Sequence, residues 1–284
     1  RAFRAERPDV VLSYTIKNNI FGAMAARSVG VAFLPNVTGL GTAFLSGGLL
    51  EIVAERLYQY AFAGLPIVFF QNRDDRDLFL TRRLVRQDQA RLLPGSGIDL
   101  ARFHPADMPP DDTPIFLMIA RLLRDKGVME FVNAARQVKM HHPHVRFQLL
   151  GATGANNRTA IDAATVQGWV REGVVEYLGT TPDVRPHIAA AHCVVLPSYR
   201  EGAPRTLIEA AAMARPVIAT DVPGCRAVVD RDQSGFFCDA QSVDSLVNAV
   251  HQFLALSHTA RAAMGRAGRQ KMEREFDDSL IIAA

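Results

Sequence analysis

Cys193-Val194-Val195-Leu196-Pro197-Ser198-Tyr199-Arg200-Glu201-Gly202-Ala203-Pro204-Arg205-Thr206-Leu207-Ile208-Glu209-Ala210-Ala211-Ala212 decides how the rest of the chain is read. Four apolar residues predict a buried strand, a turn carries Glu201, and a helix from about Thr206 carries Glu209. Seven residues separate the two glutamates. In open α/β sheets, ligands bind where a strand's C-terminal end feeds a helix. The first amides of that helix have no partner inside it and favour an anion. Two carboxylates beside such a helix end suit a ligand that offers both phosphate and hydroxyls, as a nucleotide sugar does.

Working outward, apolar runs alternate with helical patterns almost to the end of the chain, which predicts α/β architecture with parallel sheets covered on both faces. Before residue 105 the expected strands are Val10–Ser13, Ala32–Asn36, Ile67–Phe70 and Ala90–Leu93. Helices are expected over 18–29 and 49–63, and a third opens at Asp74-Asp75, where acids suit the macrodipole. A glycine-rich loop runs through Gly39, Gly41, Gly47 and Gly48. Pro105–Pro114 holds four prolines and three acids in ten positions and reads as the linker. Six further strands follow, at 115–119, 145–150, 174–178, 193–196, 216–219 and 235–238, with helices between them and a charged final helix over 260–276.

At 284 residues, 49% of them apolar, the chain can build two α/β cores. A formal net charge of +3 does not argue for nucleic acid. Cys193, Cys225 and Cys238 lack metal-knuckle spacing and fit a reduced, cytoplasmic compartment. No apolar run reaches the ~18–20 residues that cross a bilayer. His141, His142 and His144 crowd one helix end, but Pro143 breaks the i, i+4 geometry of a metal site. Asp74-Asp75 opens a helix and Asp111-Asp112 lies in the linker, so no metal site is expected. No strand is followed by Gly-x-Gly-x-x-Gly, which disfavours a Rossmann oxidoreductase.

The Glu201…Glu209 block resembles the E-x7-E signature of retaining glycosyltransferases of family four. Gly97-Ile98-Asp99 with Phe103, Ala120-Arg121 with Lys126-Gly127, and Asp221-Val222-Pro223-Gly224 match the same family in order, over about two thirds of the chain. The resemblance implies the GT-B fold, two Rossmann-like domains facing a cleft. It places an N-terminal acceptor-side domain at 1–107, a nucleotide-sugar domain at 112–260, and a C-terminal helix, 261–284, returning towards the first domain. The chain starts at Arg1 in a helix end. By resemblance about two strand–helix units should precede it, so the first domain is expected to lack its front.

The resemblance also implies roles. Arg121 and Lys126 would hold the donor diphosphate, a fork and a point charge for two negative charges. Glu209 would grip the ribose hydroxyls and Glu201 the transferred sugar. The amides of Gly202 and Ala203 would reach the donor, and Gly179 with Thr180 would meet the base. Arg205 either adds charge at the phosphates or points outward. On the acceptor side, Thr38 with Gly39 stands where many relatives carry a histidine; its absence leaves no candidate base there. Lys17 and Asn18 either meet an acceptor phosphate or are surface residues. Asp99 is expected to be structural.

The function implied is transfer, with retention, of a hexosyl or N-acetylhexosaminyl group from a UDP-linked donor to a hydroxyl of a lipopolysaccharide or other envelope glycan precursor. No metal or other cofactor is expected. The expected partners are the donor, a lipid-linked or glycan acceptor and a membrane surface, not nucleic acid. The arginine-rich segment 73–91 and the helix over 49–63 motivate the membrane reading, which would place the protein on the inner face of the inner membrane. A UDP-sugar epimerase of the same fold, or nucleotide-sugar binding without turnover, are the alternatives.

Overall fold

The computed structural model describes residues 2–40, 48–95, 97–155 and 157–283. Gly41 and Gly47 of the expected glycine-rich loop, and with them 41–47, lie outside the described residues. The chain folds into two compact units, one of 1–96 with 201–203, the other of 97–200 with 204–283.

In the first unit, α1 (Ala2–Glu6) precedes β1 (Val10–Tyr14), α2 (Ile16–Arg27), β2 (Ala32–Val37), α3 (Gly48–Phe62), β3 (Val68–Phe70), α4 (Arg73–Thr81) and β4 (Ala90–Leu92). The strands pair in parallel in the order β1-β2-β3-β4. Phe33, Val37, Tyr58, Phe62, Phe70 and Phe79 form its core. Tyr58 packs edge-on against both Phe62 and Phe79, geometry worth ~0.5–1.5 kcal/mol per pair beyond area burial. Asn72 caps α4 by accepting from the Asp75 amide, which is why the acidic pair sits in the first turn.

The second unit contains β5 (Ile115–Ile119), a 3-10 turn (Arg124–Lys126), α5 (Val128–His141), β6 (Arg146–Leu150), α6 (Ala163–Arg171), β7 (Glu176–Tyr177), α7 (Arg185–Ala190) and β8 (Cys193–Leu196). It continues with α8 (Arg205–Ala212), β9 (Val217–Thr220), α9 (Pro223–Val228), β10 (Gly235–Cys238), α10 (Val243–Leu254), α11 (His258–Glu275) and α12 (Asp278–Ile282). All its strand pairs are parallel, in the order β10-β9-β8-β5-β6-β7. The order reverses between β5 and β8, the switch point at which such sheets bind ligands. Every residue of β8 and β9 is buried, as helices on both faces require of a central parallel strand.

Two features differ from the sequence expectation. The boundary between the units falls at 96/97, ahead of the proline-rich segment. Residues 97–111 belong to the second unit because Ile98 donates to the Phe276 carbonyl at 2.8 Å and Arg269 Nη1 donates to the Phe103 carbonyl at 2.7 Å. Arg261 Nη1 likewise bonds Asp111 Oδ1 at 2.8 Å. The long final helix packs along α8. A Cβ at Gly265 would lie 2.0 Å from the Ala214 carbonyl oxygen, so only glycine permits that approach. Finally, α9 and α12 were not foreseen; each is a turn or two long, too short to show a period.

Buried His192 joins the proline-rich segment to this sheet. Its Nδ1 accepts from the Ile115 amide at 3.1 Å and its Nε2 faces the Pro110 carbonyl at 2.9 Å. Those partners require the neutral ring with the proton on Nε2, and burial lowers its pKa in the same direction. The three cysteines are free and buried.

Candidate active site

At the switch point of the second unit two turns are pinned together. The first follows β5 and carries Arg121 and Lys126; the second follows β8 and runs through Pro197, Ser198 and Tyr199. The Asp125 carbonyl accepts from the Tyr199 amide at 3.0 Å and from Ser198 Oγ at 3.2 Å. Gly127 has φ +76°, and a Cβ there would lie 2.0 Å from the Pro197 carbonyl oxygen. On the far side of β5, a Cβ at Gly151 would lie 1.8 Å from the Ala120 carbonyl oxygen. The turn that presents Arg121 is thus wedged between backbone on both flanks, and two glycines make this possible.

Tyr199 adds a side-chain tie, donating to Glu130 Oε1 at 2.8 Å. Burial, then that bond, pushes its phenol up to about 12, so it stays a donor at neutral pH. The sequence reading missed Glu130, whose position in the first turn of α5 looks like an ordinary dipole-matched acid. Thr220 Oγ1 donates to the Ser198 carbonyl and fixes the second turn from the β9 side.

Glu209 is buried in α8. That helix is docked on the end of β5 by Thr206 Oγ1, which donates to the Ile119 carbonyl at 3.0 Å, tying the helix that bears Glu209 to the strand that leads to Arg121. Glu209 Oε1 accepts from Arg205 Nε at 2.7 Å. The helix starts within a residue of the expected Thr206, but the amides of Gly202 and Ala203 do not belong to its first turn. It begins at Arg205, with Pro204 as N-cap, so those amides precede it. Leu207 and Ile208 already donate to the Pro204 carbonyl. The helical amides before them are those of Arg205 and Thr206.

Gly179 and Thr180 follow β7 on the same C-terminal edge of the sheet. The Gly179 carbonyl accepts from the Gly151 amide at 2.8 Å, and Tyr177 Oη donates to the Gly151 carbonyl at 3.0 Å. Gly179 takes φ +72° with open space where a Cβ would project, and Thr180 is exposed. Asp99 is structural, accepting on Oδ1 from the amides of Ala101 and Arg102. Among the described residues, no three His, Cys, Asp or Glu side chains are grouped to hold a metal ion.

The remaining predicted residues fall in the first unit. Thr38 and Gly39 follow β2, and the structure groups Glu201, Gly202 and Ala203 with them. A Cβ at Gly202 would lie 2.0 Å from the Thr38 carbonyl oxygen, and Asn72 Nδ2 donates to the Gly202 carbonyl at 2.9 Å. Lys17 and Asn18 begin α2 and line a cavity of 510 Å³ with Tyr14, Thr15 and Phe21. Since β1 and β2 are parallel neighbours, these residues and Thr38 share one end of the sheet. Buried Asn19 bonds the Asn36 carbonyl there at 2.9 Å; neither buried amide stands out as a site residue in the sequence.

Residues 113–255, half of the chain, match the family model described as glycosyl transferases group 1. The chain belongs to that family. This group 1 glycosyltransferase is 27% identical over 263 residues to the N,N'-diacetylbacillosaminyl-diphospho-undecaprenol alpha-1,3-N-acetylgalactosaminyltransferase of Campylobacter jejuni, covering 87% of this chain and 68% of the relative. It is 24% identical to the UDP-Gal:alpha-D-GlcNAc-diphosphoundecaprenol alpha-1,3-galactosyltransferase of Escherichia coli, covering 88% of this chain and 67% of the relative. Its fold is that of sucrose-phosphate synthase from Thermosynechococcus elongatus, with a TM-score of 0.83 at 23% identity over 99% of this chain and 73% of that one. The glycosyltransferase is therefore a GT-B protein. The family model spans the Arg121–Lys126 turn, Gly179-Thr180 and Glu201–Glu209 in one stretch.

Proposed function

We propose that this glycosyltransferase moves a hexosyl or N-acetylhexosaminyl group from a UDP-sugar to a hydroxyl of a lipid-linked envelope glycan precursor, with retention and without a metal. The observation that carries the reading is the pinned pair of turns at the switch point, which holds two cations beside a helix bearing a buried carboxylate. Arg121 and Lys126 take the diphosphate, Glu209 the ribose hydroxyls, Glu201 the transferred sugar, and Gly179-Thr180 the base. UDP and a lipid diphosphate acceptor are the chemistry in the name of the E. coli relative. In the transfer, the bond from the anomeric carbon to the diphosphate oxygen breaks and its electron pair leaves with UDP. The acceptor oxygen attacks on the same face and its proton passes to the departing phosphate oxygen. The cations stabilise the charge gathering on the leaving group. Thr38-Gly39, Lys17 and Asn18 are assigned to the acceptor.

Calorimetric titration with UDP and GDP in EDTA, on the parent and on Glu209→Ala, tests this. UDP should bind without metal, and the variant should lose about hundredfold in affinity, as removing hydrogen bonds to a charged group does. Unchanged binding in the variant would sink the ribose assignment, and a requirement for divalent metal would sink the metal-free reading.

The same reading places the protein at the inner face of the inner membrane. Leu49, Ile52, Val53, Arg56 and Tyr60 recur at helical spacing on the outer face of α3, and Leu49 is 77% and Tyr60 63% exposed. Residues 1–96 carry 12 Lys and Arg against 8 Asp and Glu, so the chain's positive excess lies in this stretch. Arg27 stacks over Tyr60 at 5.3 Å. An apolar stripe flanked by arginines matches an anionic bilayer surface. Among the described residues no helix is long and apolar enough to cross a membrane. Co-flotation with phosphatidylglycerol vesicles should fall about tenfold or more in Leu49→Asp/Ile52→Asp, since each aliphatic side chain buried contributes ~1.5–3 kcal/mol. Equal flotation of parent and variant would exclude this face.

A further inference from the structure

Arg205 stands at the first position of α8, where its charge opposes the helix macrodipole. Its partner Glu209 lies four residues later, and basic-before-acidic is the weaker order for an i, i+4 pair. Helix stability therefore does not account for this arginine. The exposures of the pair are unequal: the Arg205 side chain is 70% exposed and that of Glu209 11%. A screened surface pair contributes little to folding, yet here one member is a side chain held almost out of solvent, so the bond from Arg205 serves a buried polar group that would otherwise go unpaired.

The bond between them is specific. Arg205 Nε meets Glu209 Oε1 at 2.7 Å. Glu209 Oε2 has no partner among the described residues, and it is not among the buried polar atoms left unsatisfied, so the carboxylate edge still open to solvent is that of Oε2. One oxygen is clamped and the other is presented.

We propose that Arg205 is a positioning residue for donor binding: it fixes the Glu209 rotamer so that Oε2 faces the ribose diol of the nucleotide. This rests on the reading of Glu209 as the ribose contact. The arginine meets the carboxylate through its Nε, and its side chain is otherwise largely exposed. Without it, the glutamate must find its productive rotamer only when the nucleotide arrives, and the ordering cost falls on binding.

The test compares UDP with 2′,3′-dideoxy-UDP, which keeps the base and diphosphate but lacks the diol, on the parent, Arg205→Met, Arg205→Lys and Glu209→Ala. Arg205 is largely exposed, so both its variants retain the fold, and unfolding midpoints check this. Arg205→Met should bind UDP about tenfold more weakly and bind 2′,3′-dideoxy-UDP as the parent does, with Arg205→Lys recovering part of the loss. Equal weakening towards both nucleotides would overturn the proposal in favour of direct contact between Arg205 and the diphosphate. Unchanged or tighter UDP binding in Arg205→Met, while Glu209→Ala loses it, would overturn it with the ribose assignment left standing. If Glu209→Ala also binds UDP normally, both readings fall together.

Discussion

Gly127→Ala should unfold about 3–5 kcal/mol more readily than the parent and should lose measurable UDP binding. Two effects combine at this position. Its φ of +76° lies in the left-handed region, which costs an alanine ~1–2 kcal/mol. The new Cβ would also lie 2.0 Å from the Pro197 carbonyl oxygen and 2.6 Å from its carbon. Neither atom is the end of a flexible side chain, so the two turns must part. Separation breaks the bonds from the Tyr199 amide and Ser198 Oγ to the Asp125 carbonyl, each worth ~1 kcal/mol, and carries Lys126 away from its place. Gly173 provides the control. It has φ +75°, with nothing within 4 Å of where a Cβ would stand, so Gly173→Ala carries the backbone strain alone. Urea unfolding and UDP titration of both variants separate the terms. If Gly127→Ala is no worse than Gly173→Ala and still binds UDP, the turns are not wedged and the site is not built by their contact.

The wedge at Gly127 also marks where the sequence stops being informative. Alternating apolar runs and helical patterns locate the strands of both sheets, because a parallel sheet buried on both faces must be written in continuous apolar residues such as Ile115–Ile119 and Cys193–Leu196. The spacing of Glu201 and Glu209, the cations at 121 and 126, and the family they resemble are equally visible. The Glu130–Tyr199 tie is not, since it joins residues 69 apart in sequence and neither type is unusual where it stands. Nor does composition show that Gly202 lies against the Thr38 carbonyl.

The proline-rich segment shows what composition leaves out. Prolines and acids at 105–114 have the composition of a free linker, but composition reports only what a segment lacks for making its own helix or strand. Whether it is free depends on donors elsewhere. Here they are long-range: Arg215 lies more than 100 residues from Ala106 and Asp107, and Arg269 is 166 from Phe103. An arginine just before a proline at a helix end reads as a solvated C-terminal cation; in the fold Arg215 is 1% exposed.

Arg215→Met is accordingly expected to cost about 3–5 kcal/mol, because it leaves several carbonyls without their donor at ~1–3 kcal/mol for each one that stays buried. The guanidinium donates to no carboxylate. Nε bonds the Ile188 carbonyl at 3.1 Å, Nη1 the carbonyls of Ala106 at 2.8 Å and Ala214 at 3.4 Å, and Nη2 those of Ala189 at 2.8 Å and Asp107. Burial lowers its pKa to about 10, which still leaves it charged at neutral pH with all five donors in use. Methionine fills much of the volume and satisfies none of the carbonyls, so the loss measures the hydrogen bonds and not a cavity. Arg215→Lys keeps the charge but lacks the fork that reaches five acceptors in one plane, and should recover less than half of the loss. The readouts are the urea midpoint and the rate at which a protease cuts between 97 and 114, which should rise in step with the destabilisation because Ala106 and Asp107 are held by this side chain. A variant that lowers the midpoint without exposing that segment would show that Arg215 supports α7 alone. A midpoint within about 1 kcal/mol of the parent would mean that burying this charge offsets what its bonds contribute.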